Sequence, residues 1–266
     1  MMIRFFLILI SLPGLTCLLV ADEDEKGGAA EPEKAVVAPK VAGNLDIKNS
    51  ADGSYPGGST PKAGTWKVDA DTKKLNVSAV PLVEGWMEFG QEIREKGATI
   101  VALVRGPGDG RLQSRFGAGL YGKNGFQLRA VQVTDRLQLV RRGEVLEEVA
   151  LELIPGEAYH FELSVLEDEA DWMIAGRVWL HETERPLEAM IRLKFSADEL
   201  LFPLAGRPVI TATPFSGEPV SFLSATAYLG EYVTPAPEPK AVEDKEDKED
   251  KEAADDLAND EADAEE

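Results

Sequence analysis

Two runs of alternating apolar and polar residues, joined by an acidic turn, occupy positions 159–181. Tyr159, Phe161, Leu163 and Val165 alternate with His160, Glu162 and Ser164, the period of two that a half-buried strand requires because successive side chains point to opposite faces. Beyond the turn, Trp172, Ile174, Val178 and Leu180 form one set with Gly176 among them, and Met173, Ala175, Arg177, Trp179 and His181 form the other. A hairpin closed by residues 168–171 keeps the polar sets together, since a slip of one residue would exchange the faces of one strand. This register predicts a core face of Tyr159, Phe161, Leu163, Val165, Ile174, Val178 and Leu180. On the other face it sets His160 near Trp179 and Glu162 near Arg177.

The same period recurs in short runs at 66–68, 75–79, 111–121, 126–133, 137–142, 145–151, 187–195, 208–215 and 220–229. Residues 98–104 are nearly all apolar, which predicts a strand buried on both faces. Trp86, Met87, Phe89 and Ile93 follow no clear period, leaving that stretch open between strand and irregular edge. Asn124-Gly125 signals a tight hairpin turn. Ser196 to Glu199 reads as a capping box before Leu200-Leu201-Phe202, and Pro203 stops the short helix it would open. About a dozen short strands at intervals of roughly 8–12 residues, with one short helix, predict an all-β sandwich.

Composition divides the chain. Residues 1–21 carry Arg4, an apolar run to Val20 and Ala21 before an acidic stretch, the pattern of a secretory signal, with an uncleaved anchor as the alternative. Export to the periplasm, cell surface or medium follows, with no integral membrane domain in the mature chain. Cys17 is the single cysteine. It lacks the aliphatic residue that precedes a lipidated cysteine by three places, and its loss with the signal would exclude disulfides, thiolate catalysis and Cys-ligated zinc. Residues 22–63 read as a disordered linker and 233–266 as a disordered acidic tail around a sandwich domain at 64–232. Residues 241–266 hold 14 acids and three lysines, a solubility tail or a segment for a basic partner. The whole chain carries −20, and no basic patch stands out along it, which argues against nucleic acid as a partner.

The candidate chemistry lies on the polar face of the central hairpin. His160, Glu162, Arg177, Trp179 and His181 combine a large aromatic with hydrogen-bonding and charged groups, the composition of a groove for a polar ligand. The alternative is that a neighbouring layer covers Trp179 and that Glu162 and Arg177 form a structural ion pair. Gly117-x-Gly119-x-x-Gly122 matches a dinucleotide fingerprint only formally, because a hairpin and a second strand follow where a phosphate-binding helix is needed. Those glycines mark a bulge or a close backbone approach instead. Asn76-Val77-Ser78 fits a glycosylation sequon, which has meaning only in a eukaryotic secretory pathway.

Trp66, Arg115-Phe116-Gly117 with Asn124-Gly125-Phe126, Leu137 to Arg141, and Pro155-Gly156 leading to Gly176-Arg177-Val178-Trp179 resemble the concanavalin A-like lectin and glucanase superfamily. Within it, the closest likeness is to laminin-G-like and 3-keto-disaccharide-hydrolase-like domains of exported bacterial proteins. The resemblance implies a jelly-roll sandwich over residues 64–232 whose concave sheet, in many members, holds carbohydrate. It does not bring catalysis with it. The glucanases place carboxylates as Glu-x-Asp-x-Glu on one strand, whereas Glu167-Asp168-Glu169-Ala170-Asp171 falls in the predicted turn. Two histidines cannot build a histidine-rich metal site, and neither His-Glu-x-x-His nor Gly-x-Ser-x-Gly occurs. No cofactor is expected beyond a weakly bound calcium ion at the loop aspartates Asp69, Asp71 and Asp109.

Three readings follow. The first is an exported, non-catalytic module that binds a glycan or envelope component through His160, Glu162, Arg177, Trp179 and His181. The second is a hydrolase of sugar derivatives with Glu162 as acid or base beside His160. The third is a structural or protein-interaction module whose acidic tail engages a basic partner.

Overall fold

A computed structural model describes residues 39–232 apart from 81–82, 95–96, 109–113, 170, 201–202 and 215–216. The segment expected to be an export signal, Cys17, the acidic residues 241–266 and Asp109 lie outside the described residues. In chain order the strands are β1 (Val41–Asn44), β2 (Thr60–Ala63), β3 (Trp66–Asp69), β4 (Lys74–Val77), β5 (Gly85–Glu88), β6 (Gly97–Arg105), β7 (Arg115–Leu120), β8 (Phe126–Val131), β9 (Arg136–Arg141), β10 (Glu144–Ala150), β11 (Ala158–Asp168), β12 (Asp171–Leu180), β13 (Ile191–Ser196), β14 (Val209–Thr213) and β15 (Val220–Leu229).

They form two antiparallel sheets packed as an all-β jelly-roll sandwich. The eight-stranded sheet runs β13-β12-β11-β6-β15-β4-β3, with β1 also on β15. The seven-stranded sheet runs β10-β9-β8-β7-β14-β5-β2. The central hairpin has the register read from its alternation: Tyr159 opposes Leu180, His160 opposes Trp179, and Glu162 opposes Arg177. Asp168 pairs with Asp171, and Glu169 turns the chain with φ 58°. β6, the apolar run, lies between β11 and β15 with both faces largely covered. Between the sheets, Phe161, Leu163, Val165 and Ile174 meet Phe116, Leu120, Leu128 and Leu139 from the other layer, all at most 1% exposed. Phe116 and Phe161 touch across the layers edge to face, their centroids 5.6 Å apart. Gly176 breaks the apolar row of β12 because Leu128 fills its place: a Cβ there would stand 2.6 Å from Leu128 Cδ1.

Four expectations need correction. The linker boundary at residue 63 falls inside the folded body, since β1 pairs with β15 and β2 with β5, and Ala42, Leu45 and Ile47 are buried. Four-residue strands are too short to show a period, and Gly43 meets Gly90 so closely that a Cβ at 43 would lie 2.7 Å from its Cα. Asn124-Gly125 is not a two-residue turn: Leu120 pairs with Phe126, and the link between them holds a 3-10 turn at Gly122–Asn124. Its left-handed residues are Tyr121 and Gly122 (φ 64° and 63°), while Gly125 serves close packing, because a Cβ there would lie 1.9 Å from the Leu120 carbonyl oxygen. The capping box yields only a single 3-10 turn, Ala197–Glu199, with Ser196 Oγ accepting from Asp198 N–H at 3.3 Å and Leu200 already extended. Only three residues separate that turn from Pro203, which is too few for helix propagation. The strand expected at 187–195 begins at Ile191, and Leu187 stands 89% exposed in the preceding loop. No helix among the described residues is long and apolar enough to cross a membrane.

Candidate functional site

The five residues singled out in the central hairpin do come together on the outer face of the eight-stranded sheet. His160 stacks on Trp179 with centroids 4.8 Å apart and rings 15° from parallel, and its Nε2 lies 3.1 Å from His181 Nδ1. Burial, seconded by the neighbouring His181, pushes the His160 pKa down to about 4. Its Nδ1 is buried without a hydrogen-bond partner. A neutral ring packed on an indole is therefore its state at neutral pH. Trp179 itself is partly exposed.

Glu162 departs from its expected role. Its side chain is 0% exposed, and both oxygens accept from guanidinium groups: Oε1 from Arg177 Nη1 at 2.7 Å and Arg185 Nη2 at 2.6 Å, Oε2 from Arg185 Nε at 2.5 Å. Arg185 arrives from the loop before β13, beyond the reach of hairpin periodicity, and the bond to Glu162 raises its pKa. Its guanidinium lies 6.0 Å from the Tyr232 ring, which packs 4.9 Å from Tyr228. The segment leaving β15 is tied across this face by Thr99 Oγ1 donating to the Gly230 carbonyl at 2.9 Å. Buried beneath two guanidinium groups that engage both of its oxygens, Glu162 has the geometry of the structural ion pair with Arg177, extended by Arg185.

A cleft of about 720 Å³ opens on the opposite side of the sandwich, on the outer face of the seven-stranded sheet. Register explains it. Gly117 of β7 pairs with Arg129 of β8 and Thr211 of β14, and Thr211 pairs in turn with Trp86 of β5. One step along, Gly119 pairs with Gln127 and Val209, and Val209 with Glu88. Along this face Trp86 and Glu88 stand on one side and Gln127 and Arg129 on the other, with Thr211, Val209 and the two glycines between them, Thr211 and Val209 being almost fully covered. Neither glycine tolerates a side chain: a Cβ at 117 would lie 2.0 Å from the Leu128 carbonyl oxygen, and one at 119 would lie 2.7 Å from that of Phe126. The close backbone approach expected of these glycines is what the structure shows.

The walls are polar and oriented. Arg129 Nε donates to Gln138 Oε1 at 3.1 Å, and Gln138 Nε2 donates to Glu148 Oε2 at 2.6 Å. Burial lowers the Arg129 pKa, Glu84 opposes that shift, and Arg115 adds to it. Lys62 Nζ stands 3.5 Å from Glu88 Oε2 on the far wall. Trp86 is half-buried, with Lys123, Asn124 and Arg142 further along the cleft. A flat aromatic surface beside amide, carboxylate and guanidinium groups can stack on one face of a sugar ring and hydrogen-bond to its hydroxyls. Sequence reasoning missed this site because its residues come from four separate strands. The available signal was polar Gln127 and Arg129 alternating in an otherwise apolar run, opposite two alternating glycines.

The calcium expectation finds no cluster: among the described residues no three His, Cys, Asp or Glu side chains are placed to hold a metal. Asp69 instead caps its own turn, with Oδ1 accepting from Thr72 N–H at 3.0 Å, and that bond lowers its pKa. Asn76 of the sequon is tied within the sheet, its Oδ1 accepting from Ser221 Oγ at 2.7 Å.

No protein-family model and no curated protein sequence matches the chain. Solved structures do. A mutant form of the Emp46p carbohydrate recognition domain superposes with a TM-score of 0.53 at 10% identity, covering 74% of this chain and 100% of that one. The metal-free form of the same domain gives 0.50 at 10% identity over 71% and 97% of the two chains. A bifunctional GH43-CE protein of Bacteroides eggerthii gives 0.50 at 11% identity over 69% of this chain and 27% of that one. At such identities the likeness concerns architecture alone, and with the two-sheet topology it shows that the chain has the concanavalin A-like lectin fold.

Proposed function

We propose that the protein is an exported, non-catalytic carbohydrate-binding module that holds a glycan in the cleft on the outer face of its seven-stranded sheet. Trp86 stacks on a sugar ring in this cleft, and Glu88, Gln127 and Arg129 bond to its hydroxyls. The observation that carries this reading is the half-exposed Trp86 lining the cleft beside an oriented polar wall. A fold shared with a domain named for carbohydrate recognition supports it.

The reading is tested by titrating soluble polysaccharides into the full chain by affinity electrophoresis and calorimetry. Trp86→Ala weakens binding by tenfold or more, the equivalent of about 1.4 kcal/mol, while Trp179→Ala on the opposite sheet leaves it within twofold. Binding that survives Trp86→Ala, or that disappears with Trp179→Ala, overturns the assignment.

A further inference from the structure

The cleft does not end at Arg129. A second hollow of about 570 Å³ adjoins it there, walled in part by Arg115, Arg136 and Glu148. Across the two, six cationic side chains, Lys62, Lys123, Arg115, Arg129, Arg136 and Arg142, line the surface against three carboxylates, Glu84, Glu88 and Glu148. The whole chain carries −20, so this face runs against the charge of the molecule. Two of the three carboxylates are already engaged: Glu88 with Lys62, and Glu148 with Gln138 and with Arg136 Nε at 3.7 Å. Arg115 and Arg129 line the same hollow, and Glu84 is the carboxylate that most offsets the effect of burial on Arg129. An anion placed among such groups gains charge-assisted hydrogen bonds, most of all from the partly buried Arg129.

We propose, on the basis of the glycan-binding reading, that the ligand is an acidic polysaccharide whose carboxylate or sulfate groups lie among Lys123, Arg129 and Arg142 while one of its rings covers Trp86. Acidic glycan fits better than a nucleic acid. Trp86 is the one aromatic among the lining residues, enough for one ring and short of a platform for successive bases.

Matched probes separate the possibilities: dextran against dextran sulfate, polygalacturonate against its methyl ester, and a single-stranded oligonucleotide, each titrated into the full chain at 50 and 300 mM NaCl. The expected result is affinity at least tenfold higher for an acidic probe than for its neutral partner, falling with salt as screened charge pairs do. The acidic arm that binds names the group, carboxylate or sulfate. Charge reversal by Lys123→Glu with Arg142→Glu lowers the acidic-to-neutral affinity ratio at least fivefold. Arg192→Gln, on the opposite sheet, leaves the ratio within twofold. Equal affinity for acidic and neutral partners overturns the inference and leaves the glycan reading standing. No binding of any polysaccharide overturns both. Acidic binding that persists through the charge reversal, or tighter binding of the oligonucleotide, overturns the inference.

Discussion

Glu162→Gln separates a structural anion from a catalytic one. The wild-type carboxylate is 0% exposed between Arg177 and Arg185, whose side chains are 13% and 21% exposed. Removing the charge leaves two guanidinium groups that water reaches poorly, and breaking a buried pair from one side costs about 3–5 kcal/mol. The amide retains one acceptor oxygen and the arginines keep some solvent, so the low end, about 3 kcal/mol, applies to Gln, while Ala, which keeps no acceptor, takes the high end, about 5 kcal/mol. A described body of residues 39–232 loses roughly 2–4 °C of Tm per kcal/mol, which puts Glu162→Gln about 6–12 °C below wild type. Scanning calorimetry and urea titration with an unchanged m-value read the effect. A triple variant, Glu162→Leu with Arg177→Met and Arg185→Met, regains most of the loss because no buried charge is left unpaired. A Tm within about 1 °C of wild type for Glu162→Gln, or a triple variant no better than the single one, refutes the account of this face.

Two further outcomes are open to direct measurement. Gly117→Ala destabilises more than Gly176→Ala in thermal unfolding, because the Cβ at 117 meets a backbone carbonyl at 2.0 Å while the one at 176 meets the movable end of Leu128 at 2.6 Å; the reverse order contradicts the register of β7. His160 titrates near 6.5 in the unfolded chain and about 4 when folded, so the unfolded chain binds more protons between these values. Its contribution to stability is therefore fully present above about pH 6.5 and is lost as pH falls toward 4. Urea midpoints measured from pH 7.5 to 4 should show His160→Phe declining less than wild type, and parallel curves would show that His160 is not the group concerned.

The fold was legible wherever alternation ran long enough. The hairpin 159–181 revealed its strands, turn and register, because seven apolar side chains on one face leave a single pairing that buries them all. The double-sided burial of β6 was equally plain from its unbroken apolar run. Short elements stayed hidden: β1 and β2 have four residues each, and their place at the sheet edges depends on partners far along the chain. Arg207 is an example, donating from Nε to the Gly90 carbonyl at 2.9 Å and from Nη1 to Thr60 Oγ1 at 3.1 Å, contacts that span more than a hundred residues. The candidate site divided in the same way. Neighbours within one hairpin, His160 with Trp179 and Glu162 with Arg177, could be paired by counting. Arg185, which closes over Glu162, lies in a loop with no period to place it. The cations of the seven-stranded sheet are scattered from Lys62 to Arg142 along the chain and become a charged surface only when four strands and two connections bring them together. No local pattern reports such a gathering.

Fluorine NMR on protein labelled with 5-fluorotryptophan puts the central claim to the most direct test, because the chain has four tryptophans and each gives one resonance. Trp66 is buried against Phe222, and Trp172 and Trp179 belong to the other sheet. Titration with a polysaccharide that binds is predicted to shift or broaden the Trp86 signal while the other three stay in place. A shift confined to Trp179, or none at Trp86 at saturating ligand, contradicts the placement of the binding cleft.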